Sequence, residues 1–152
     1  MNALYVGRKG FGSELNGEKI KVSPSTDFSD NSVNNSLIVT DVWTNQEPYK
    51  IIDLENIRKL VGAGAHGIRS IGSCAMAMCF IASGKGDCYF QHGVHIWDYC
   101  GPGLILTEAG GTVVDTGGGD LDLCGRRCIG ACSEGLAKGV SEVIQTYNLE
   151  RD

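Results

Sequence analysis

Residues 94–112, with the sequence VHIWDYCGPGLILTEAGGT, decide the fold of this chain. The pattern predicts a strand or loop that ends at Trp97 and Asp98, followed by a helix from about residue 99 to residue 109. Asp98 would then lie beside unpaired backbone N–H groups, at the positive end of the helix dipole. A carboxylate in that place suits an N-terminal helix cap, and it equally suits a metal or phosphate site.

A second junction between a predicted strand and a predicted helix precedes that stretch. Residues 66–71 predict a strand, Gly72 and Ser73 a tight turn, and residues 74–82 a buried helix. A glycine turn between strand and helix lets the backbone approach a ligand closely and presents helix N–H groups to an anion. Such joints are also needed simply to build an α/β fold, so the turn has a purely structural interpretation as well.

The motif W-D-x-x-G-x-G-x-x-x-x-E-A-G-G, which begins at Trp97, resembles the C-terminal signature of the inositol monophosphatase family. Segments similar to the family follow one another in order at residues 5–23, 37–40, 69–82, 86–98, 107–115 and 120–127. The family's metal-binding motif Asp-Pro-x-Asp-Gly-Ser/Thr does not occur in the chain. The chain therefore resembles the C-terminal half of such an enzyme, and we expect it to be a truncated form.

The resemblance implies an α/β fold. It would be the C-terminal half of a layered α-β-α-β-α sugar-phosphatase fold, with a mixed sheet flanked by helices and preceded by a β-hairpin. Residues 1–36 would form the hairpin and a loop at the edge of an N-terminal sheet that the chain lacks. Residues 37–152 would form the C-terminal α/β domain of the inositol monophosphatase type.

The residues themselves agree with that architecture. Asn16-Gly17 between two extended runs is typical of a two-residue hairpin turn, and LIVT at residues 37–40 is typical of a buried parallel strand. Residues 46–60 predict an amphipathic helix with one polar face, and residues 133–147 a final helix with Ser133 as its N-cap. Residues 111–115 and 127–131 predict strands.

The resemblance also implies site residues. Asp98 would be the catalytic residue, because it would ligate Mg²⁺ and help to orient the substrate. Gly72, Ser73, Cys74 and Gln91 would surround a polyol. Family members commonly carry Glu at the position of Gln91; a glutamine can still accept a hydrogen bond and adds two donors without charge, so the substrate preference would shift.

The implied activity is Mg²⁺-dependent hydrolysis of inositol monophosphate to inositol and phosphate. The implied partners are a small phosphorylated polyol and a second copy in a homodimer, and lithium sensitivity is implied as well. Two alternatives stay open. One is a related phosphatase for another small sugar or nucleotide phosphate, and the other is a non-catalytic half-subunit that pairs with a full-length enzyme.

Several other chemically active residues favour structural roles. His92 and His95 flank a predicted strand, where a three-residue step separates the rings, so zinc binding is disfavoured. The seven cysteines lack C-x-x-C pairs and predict reduced core thiols. Trp97 is expected to pack and to fix its loop, with the indole N–H bonded to backbone, and Glu108 is expected to be structural. Pro102 is tolerable if the helix begins at residue 98 or 99, and costs stability if it begins earlier.

Length and composition predict one soluble domain. The chain has 152 residues, 42% hydrophobic residues and a net charge of -5. This mild, dispersed charge argues against nucleic acid or an anionic membrane as a partner. The longest apolar run, residues 74–82, is far below the roughly 18 residues of a membrane span. With no apolar segment typical of a signal peptide at the N-terminus, the expected location is the cytoplasm.

Overall fold

A computed structural model of the protein describes residues 2–24 and 32–152. Within these residues the chain forms two sheets and four helices. Their order is β1 (Tyr5–Arg8), β2 (Gly12–Leu15), β3 (Glu18–Ile20), β4 (Leu37–Val39), α1 (Tyr49–Gly62), β5 (Gly67–Arg69), α2 (Cys74–Ala82), β6 (Cys88–His92), α3 (Ile96–Glu108), β7 (Thr112–Val114), β8 (Arg127–Ala131) and α4 (Glu134–Val143).

The larger sheet has five strands in the order β5-β4-β6-β8-β7. Strand β4 runs parallel to β5 and β6, whereas β8 runs antiparallel to β6 and β7. Ile38 and Val39 of β4 are both buried, on opposite faces of the sheet. The prediction of an apolar strand covered on both sides is therefore confirmed.

Helices cover both faces of this mixed sheet. Leu60 of α1 and Leu136 of α4 belong to one core cluster, together with Ile38 and Phe90 of the strands. Helices α2 and α3 contribute to a second cluster, in which Met78, Tyr99 and Leu106 pack with Val39 and Tyr89. The predicted mixed sheet flanked by helices is confirmed. Ser133 also caps α4 as predicted, but α4 ends at Val143 because Ile144 adopts extended backbone angles.

Strands β1 to β3 form a separate antiparallel sheet that packs on α3, so the predicted hairpin is confirmed. Asn16 and Gly17 have φ of 53° and 87°, as the two-residue turn requires. Part of the loop predicted within residues 1–36 lies outside the described residues. That this hairpin belongs to the edge of a larger sheet stays a prediction.

Glu108 joins this hairpin to α3. Its carboxylate accepts hydrogen bonds from the N–H groups of Gly10 at 2.8 Å and Gly12 at 2.9 Å. The Ser13 hydroxyl adds a bond of 2.7 Å to the Ile105 carbonyl. These contacts support the structural role expected for Glu108. The Gly10 and Gly12 N–H groups also lower the pKa of Glu108, because they stabilise its ionised form.

We expect the stability of the protein to fall in acid partly through Glu108. Since the folded-state pKa lies below the ordinary value of 4.5, the carboxylate stabilises the fold above that value and loses this effect as the pH falls through the folded pKa. Urea unfolding at several pH values between about 6 and about 3 should show a flatter pH dependence for Glu108→Gln. The control is Glu18→Gln, at an exposed position of β3. An equal flattening in that variant would contradict the assignment.

Helix α1 corrects one prediction. The predicted polar face is partly buried, with Asp53 and Asn56 inside, whereas Ile51 and Leu54 are 52% and 50% exposed. The reason is pairing with the C-terminal segment. The Asn56 side chain donates to the Gln145 carbonyl at 2.9 Å and accepts from the Gln145 N–H at 2.7 Å. Buried polar groups of a helix are stable when they are paired in this way.

Candidate active site

One cavity of about 400 Å³ gathers every residue that the sequence predicted for the site. It lies where the carboxyl ends of β4 and β6 meet the N-terminal ends of α2 and α3. Its lining comprises Asp41, Val42, Trp43, Gly72, Ser73, Cys74, Ala75, Gln91, Gly93, Val94 and Asp98. The structure thus brings Gly72, Ser73, Cys74, Gln91 and Asp98 together. Their roles toward a ligand remain predictions.

The turn before α2 has the predicted form. Gly72 has a φ of 74°, a left-handed conformation that favours glycine. Ser73 is the N-cap of α2, and its hydroxyl accepts the Met76 N–H at 3.3 Å. Cys74, the first residue of the helix, is buried at the cavity wall. A polar turn and the positive end of a helix therefore face the cavity together.

Asp41 is a site residue that the sequence reasoning missed. Its Oδ1 accepts hydrogen bonds from the Gly72 N–H at 3.0 Å and from the Ser70 hydroxyl. Its Oδ2 is buried and has no hydrogen-bond partner among the residues that the structure describes. The signal was available, because Asp41 closely follows the buried strand β4, and polar residues at the carboxyl ends of parallel strands commonly line ligand sites.

Asp98 lies within α3, which corrects the predicted helix boundary. The helix begins at Ile96 with His95 as its N-cap, so Asp98 is its third residue and not its cap. Asp98 Oδ2 accepts the His95 N–H at 2.9 Å, and Asp152 Oδ2 accepts the Ile96 N–H at 2.9 Å. Asp98 Oδ1 makes no hydrogen bond to any other described residue, so this oxygen remains available at the cavity.

Pro102 consequently lies inside α3, which is the less favourable of the two predicted cases. Because proline has no N–H, the carbonyl of Asp98 lacks its usual helical partner four residues later. Glycines at positions 101 and 103 flank the proline. Asp98 Oδ2 and Asp152 Oδ2 supply two bonds to the start of α3, at the His95 and Ile96 N–H groups.

Gln91 is oriented by a buried neighbour. The Tyr89 hydroxyl donates to Gln91 Oε1 at 2.6 Å, so the amide carbonyl is already engaged. Burial raises the pKa of Tyr89, which keeps this hydroxyl protonated as a donor. The Gln91 NH₂ group is thus the part of the amide that a ligand can use. Gln91 would offer donors where family members commonly offer a carboxylate.

His92 and His95 lie in different environments, which supports the structural roles expected for them. His92 ends β6, is 1% exposed and stacks on Tyr147 with ring centroids 4.0 Å apart. His95 is partly exposed, and its Nδ1 lies 2.6 Å from Asp152 Oδ1. Within the described ranges, no group of three or more His, Cys, Asp or Glu side chains is arranged to hold a metal.

Trp97 corrects another prediction. Its side chain is 69% exposed, and its indole N–H bonds to none of the residues that the structure describes. It stacks instead on His95, with ring centroids 4.5 Å apart. The loop is fixed by Asp152 and Asp98, which do what the sequence reasoning assigned to Trp97.

The seven cysteines are free thiols, as predicted. Cys74, Cys79, Cys88, Cys128 and Cys132 are buried, whereas Cys100 is exposed and Cys124 is half-buried. Burial raises the pKa of Cys79 and of Cys132 to about 11, which keeps both protonated. Cys128 lies in β8 and Cys132 follows it, so residues 124, 128 and 132 do not align on one helix.

A mixed α/β sheet with a polar cavity at its strand ends defines a class of small-ligand-binding α/β proteins. Within that class the chain belongs to the inositol monophosphatase family, whose model matches residues 1–148. It is 43% identical over 150 residues to inositol monophosphatase 1 of Mus musculus, covering 98% of this chain and 52% of the relative. It is 40% identical to inositol monophosphatase 2 of Homo sapiens, covering 98% of this chain and 50% of the relative.

Solved structures agree with this assignment at the level of the fold. The inositol monophosphatase from Anabaena (Nostoc) sp. PCC 7120 has a TM-score of 0.81 at 24% identity, covering 93% of this chain and 56% of that chain. The chain therefore spans about half the length of the relatives that it matches. Among the described residues, no helix is both long and apolar enough to cross a membrane.

Proposed function

We propose that this chain supplies the substrate cavity and one metal ligand of a phosphatase that hydrolyses inositol monophosphate to inositol and phosphate. The observation that carries the proposal is the cavity that Gly72, Ser73, Cys74, Gln91 and Asp98 line together. Membership of the family and the names of the relatives support the same reaction.

Asp98 suits one position in a Mg²⁺ site. Its Oδ2 is held by the His95 N–H, which fixes the carboxylate and leaves Oδ1 available at the cavity. Mg²⁺ takes oxygen ligands and is often bound through one or two carboxylates, with waters and substrate phosphate completing the shell. We propose that the remaining protein ligands come from the part of the relatives that this chain does not match.

The chain's own residues would bind and orient the substrate. Bound Mg²⁺ would neutralise phosphoryl oxygens and lower the pKa of a water molecule. The N-terminal ends of α2 and α3 both face the cavity, so their dipoles favour an anionic group there. Ser73 and the Gln91 NH₂ group would hydrogen-bond to substrate oxygens. Asp98 would be the residue of this chain that holds the metal.

The proposal extends to the complete protein. By resemblance, the complete protein would be a cytoplasmic, lithium-sensitive homodimer that binds neither nucleic acid nor a membrane. The partial match to the relatives' length also favours a second candidate, a non-catalytic half-subunit. That candidate predicts that this chain co-purifies with a full-length subunit, and a stable monomer that ignores such a subunit would count against it.

A hybrid enzyme tests the substrate class. It joins the part of mouse inositol monophosphatase 1 that this chain does not match to the whole of this chain. Phosphate release is measured with inositol 1-phosphate, with hexose phosphates and with nucleoside monophosphates. We expect inositol 1-phosphate to give the highest kcat/KM. If it is the poorest substrate, the related phosphatase for a sugar or nucleotide phosphate replaces the inositol assignment.

A further inference from the structure

Trp43 lines the same cavity as Asp98 and Gln91, and its indole is held firmly. A Cβ added to Gly93 would lie 2.2 Å from Trp43 Cδ2 and 2.6 Å from Cε2, so the ring packs directly on the Gly93 backbone. The indole N–H donates a hydrogen bond of 2.8 Å to the Tyr147 hydroxyl. The catalytic proposal gives this side chain no role.

A buried polar network continues behind the indole. The Tyr147 hydroxyl donates to Asp53 Oδ1 at 3.0 Å, and Asp53 is 4% exposed. The Tyr147 ring lies close to two further rings, with centroids 4.0 Å from His92 and 4.9 Å from Tyr49. Burial raises the pKa of Tyr147, so its hydroxyl stays protonated. The hydrogen bonds that run from Trp43 through Tyr147 to Asp53 Oδ1 restrict the orientation of the indole, while Asp53 Oδ2 has no partner among the described residues.

The cavity therefore combines polar groups with an aromatic wall. A cyclic polyol has hydroxyl groups around its rim and C–H groups on its faces, so it can bond to polar groups while a face packs on an aromatic ring. Gln91 and Ser73 would supply the polar contacts, and Trp43 the apolar one. An open-chain polyol has no ring face, and gains much less from such a wall.

We propose that Trp43 is a specificity-determining residue that selects cyclic polyol phosphates by packing against the C–H face of their ring, and that Tyr147 and Asp53 are positioning residues that hold the indole. The inference rests on the proposed function, because it names a feature of the same substrate site. It adds to that function a preference for rings over open chains.

Binding is tested in the full chain by fluorescence, because Trp43 and Trp97 are its two tryptophans. Trp97→Phe leaves Trp43 as the only reporter, and the matched Trp43→Phe leaves Trp97. With myo-inositol as the probe, the emission of the Trp97→Phe protein is expected to change, and that of the Trp43→Phe protein is expected to stay constant. Sorbitol, an open-chain polyol, is the control. No change with inositol, or an equal change with sorbitol, would overturn the proposal.

The kinetics of the hybrid enzyme test the ring preference and the phosphatase assignment separately. Trp43→Leu is expected to lower kcat/KM for inositol 1-phosphate about tenfold, mainly by raising KM, and to lower kcat/KM for glycerol 2-phosphate by a much smaller factor. Trp43→Phe should restore part of the loss. If Trp43→Leu changes both substrates equally, or neither, the selectivity is refuted while the phosphatase assignment stands. A folded hybrid that is inactive on every ester refutes the phosphatase assignment, and the fluorescence experiment then decides the ring preference.

The positioning residues have their own readout. Tyr147→Phe keeps the ring against His92 but removes the hydroxyl that bonds to Trp43 and Asp53. It is expected to lower the ratio of kcat/KM for inositol 1-phosphate to that for glycerol 2-phosphate about threefold. An unchanged ratio, together with reduced stability, would show that the network is structural only.

Discussion

Asp98→Asn is expected to lower phosphate release by the hybrid enzyme at least about a hundredfold, because a neutral amide oxygen is a much weaker ligand for Mg²⁺ than a charged carboxylate. Folding should be nearly unaffected. An asparagine has the same shape, and its carbonyl oxygen can still accept the His95 N–H that Asp98 Oδ2 accepts at 2.9 Å. The measurements are kcat and KM for inositol 1-phosphate, together with the thermal midpoint.

The control for this prediction is Asp120→Asn, at an exposed position away from the cavity. That variant should keep its turnover. Normal turnover in Asp98→Asn would show that Asp98 is only a structural residue that accepts the His95 N–H at the start of α3, and the proposed metal ligand would have to be sought elsewhere.

Gly93→Ala is expected to lower the free energy of unfolding by about 3 kcal/mol or more. Gly93 has a φ of 78°, which disfavours a side chain, and the new methyl group would lie 2.2 Å from Trp43 Cδ2. Because Trp43 is bonded to Tyr147, the indole cannot move without breaking a partly buried hydrogen bond. Urea unfolding monitored by circular dichroism measures the loss.

Gly10 provides a matched control. Its φ of 79° is nearly the same, but a Cβ there has nothing within 4 Å. Gly10→Ala should therefore show only the backbone cost of about 1 kcal/mol. If the two variants lose equal stability, the close contact between Trp43 and Gly93 does not exist in solution.

Elements with local signals could be predicted from the sequence. Helix α2 spans Cys74–Ala82 and strand β8 spans Arg127–Ala131, the same bounds that the sequence predicted. A Gly-Ser turn precedes α2, and an apolar run fills the helix. Asn16-Gly17 likewise specified a hairpin turn through its own backbone preferences. Such signals lie within a few residues of the structure that they determine.

Features that depend on distant contacts could not be predicted in this way. The start of α3 depends on Asp152, which bonds to the Ile96 N–H across 56 residues. The buried polar face of α1 depends on the pairing of Asn56 with Gln145 across 89 residues, and Trp43 is held by Tyr147 across 104 residues. In each case the tertiary fold brings a polar group next to a partner that is distant in sequence. Hydrophobic periodicity carries no information about such contacts.

In the candidate site too, some features could be predicted from the sequence, whereas others depend on distant contacts. The residue pattern indicated Asp98 and the Gly72-Ser73 turn, the family resemblance added Cys74 and Gln91, and the structure places all five around one cavity. The orientation of Gln91 was missed, because it is set by the buried hydroxyl of Tyr89. Asp41 and Trp43 were missed because their places at the cavity depend on contacts with distant residues, Gly72 across 31 residues and Tyr147 across 104.

We propose that this chain provides the substrate cavity and a metal ligand of an inositol monophosphatase-type phosphatase. The most direct test of this claim is phosphate release from inositol 1-phosphate by the hybrid enzyme before and after removal of Mg²⁺ with EDTA. We predict turnover that stops on chelation and returns with added Mg²⁺, and no turnover by the mouse segment alone. A folded hybrid that releases no phosphate, or that is indifferent to Mg²⁺, would contradict the claim.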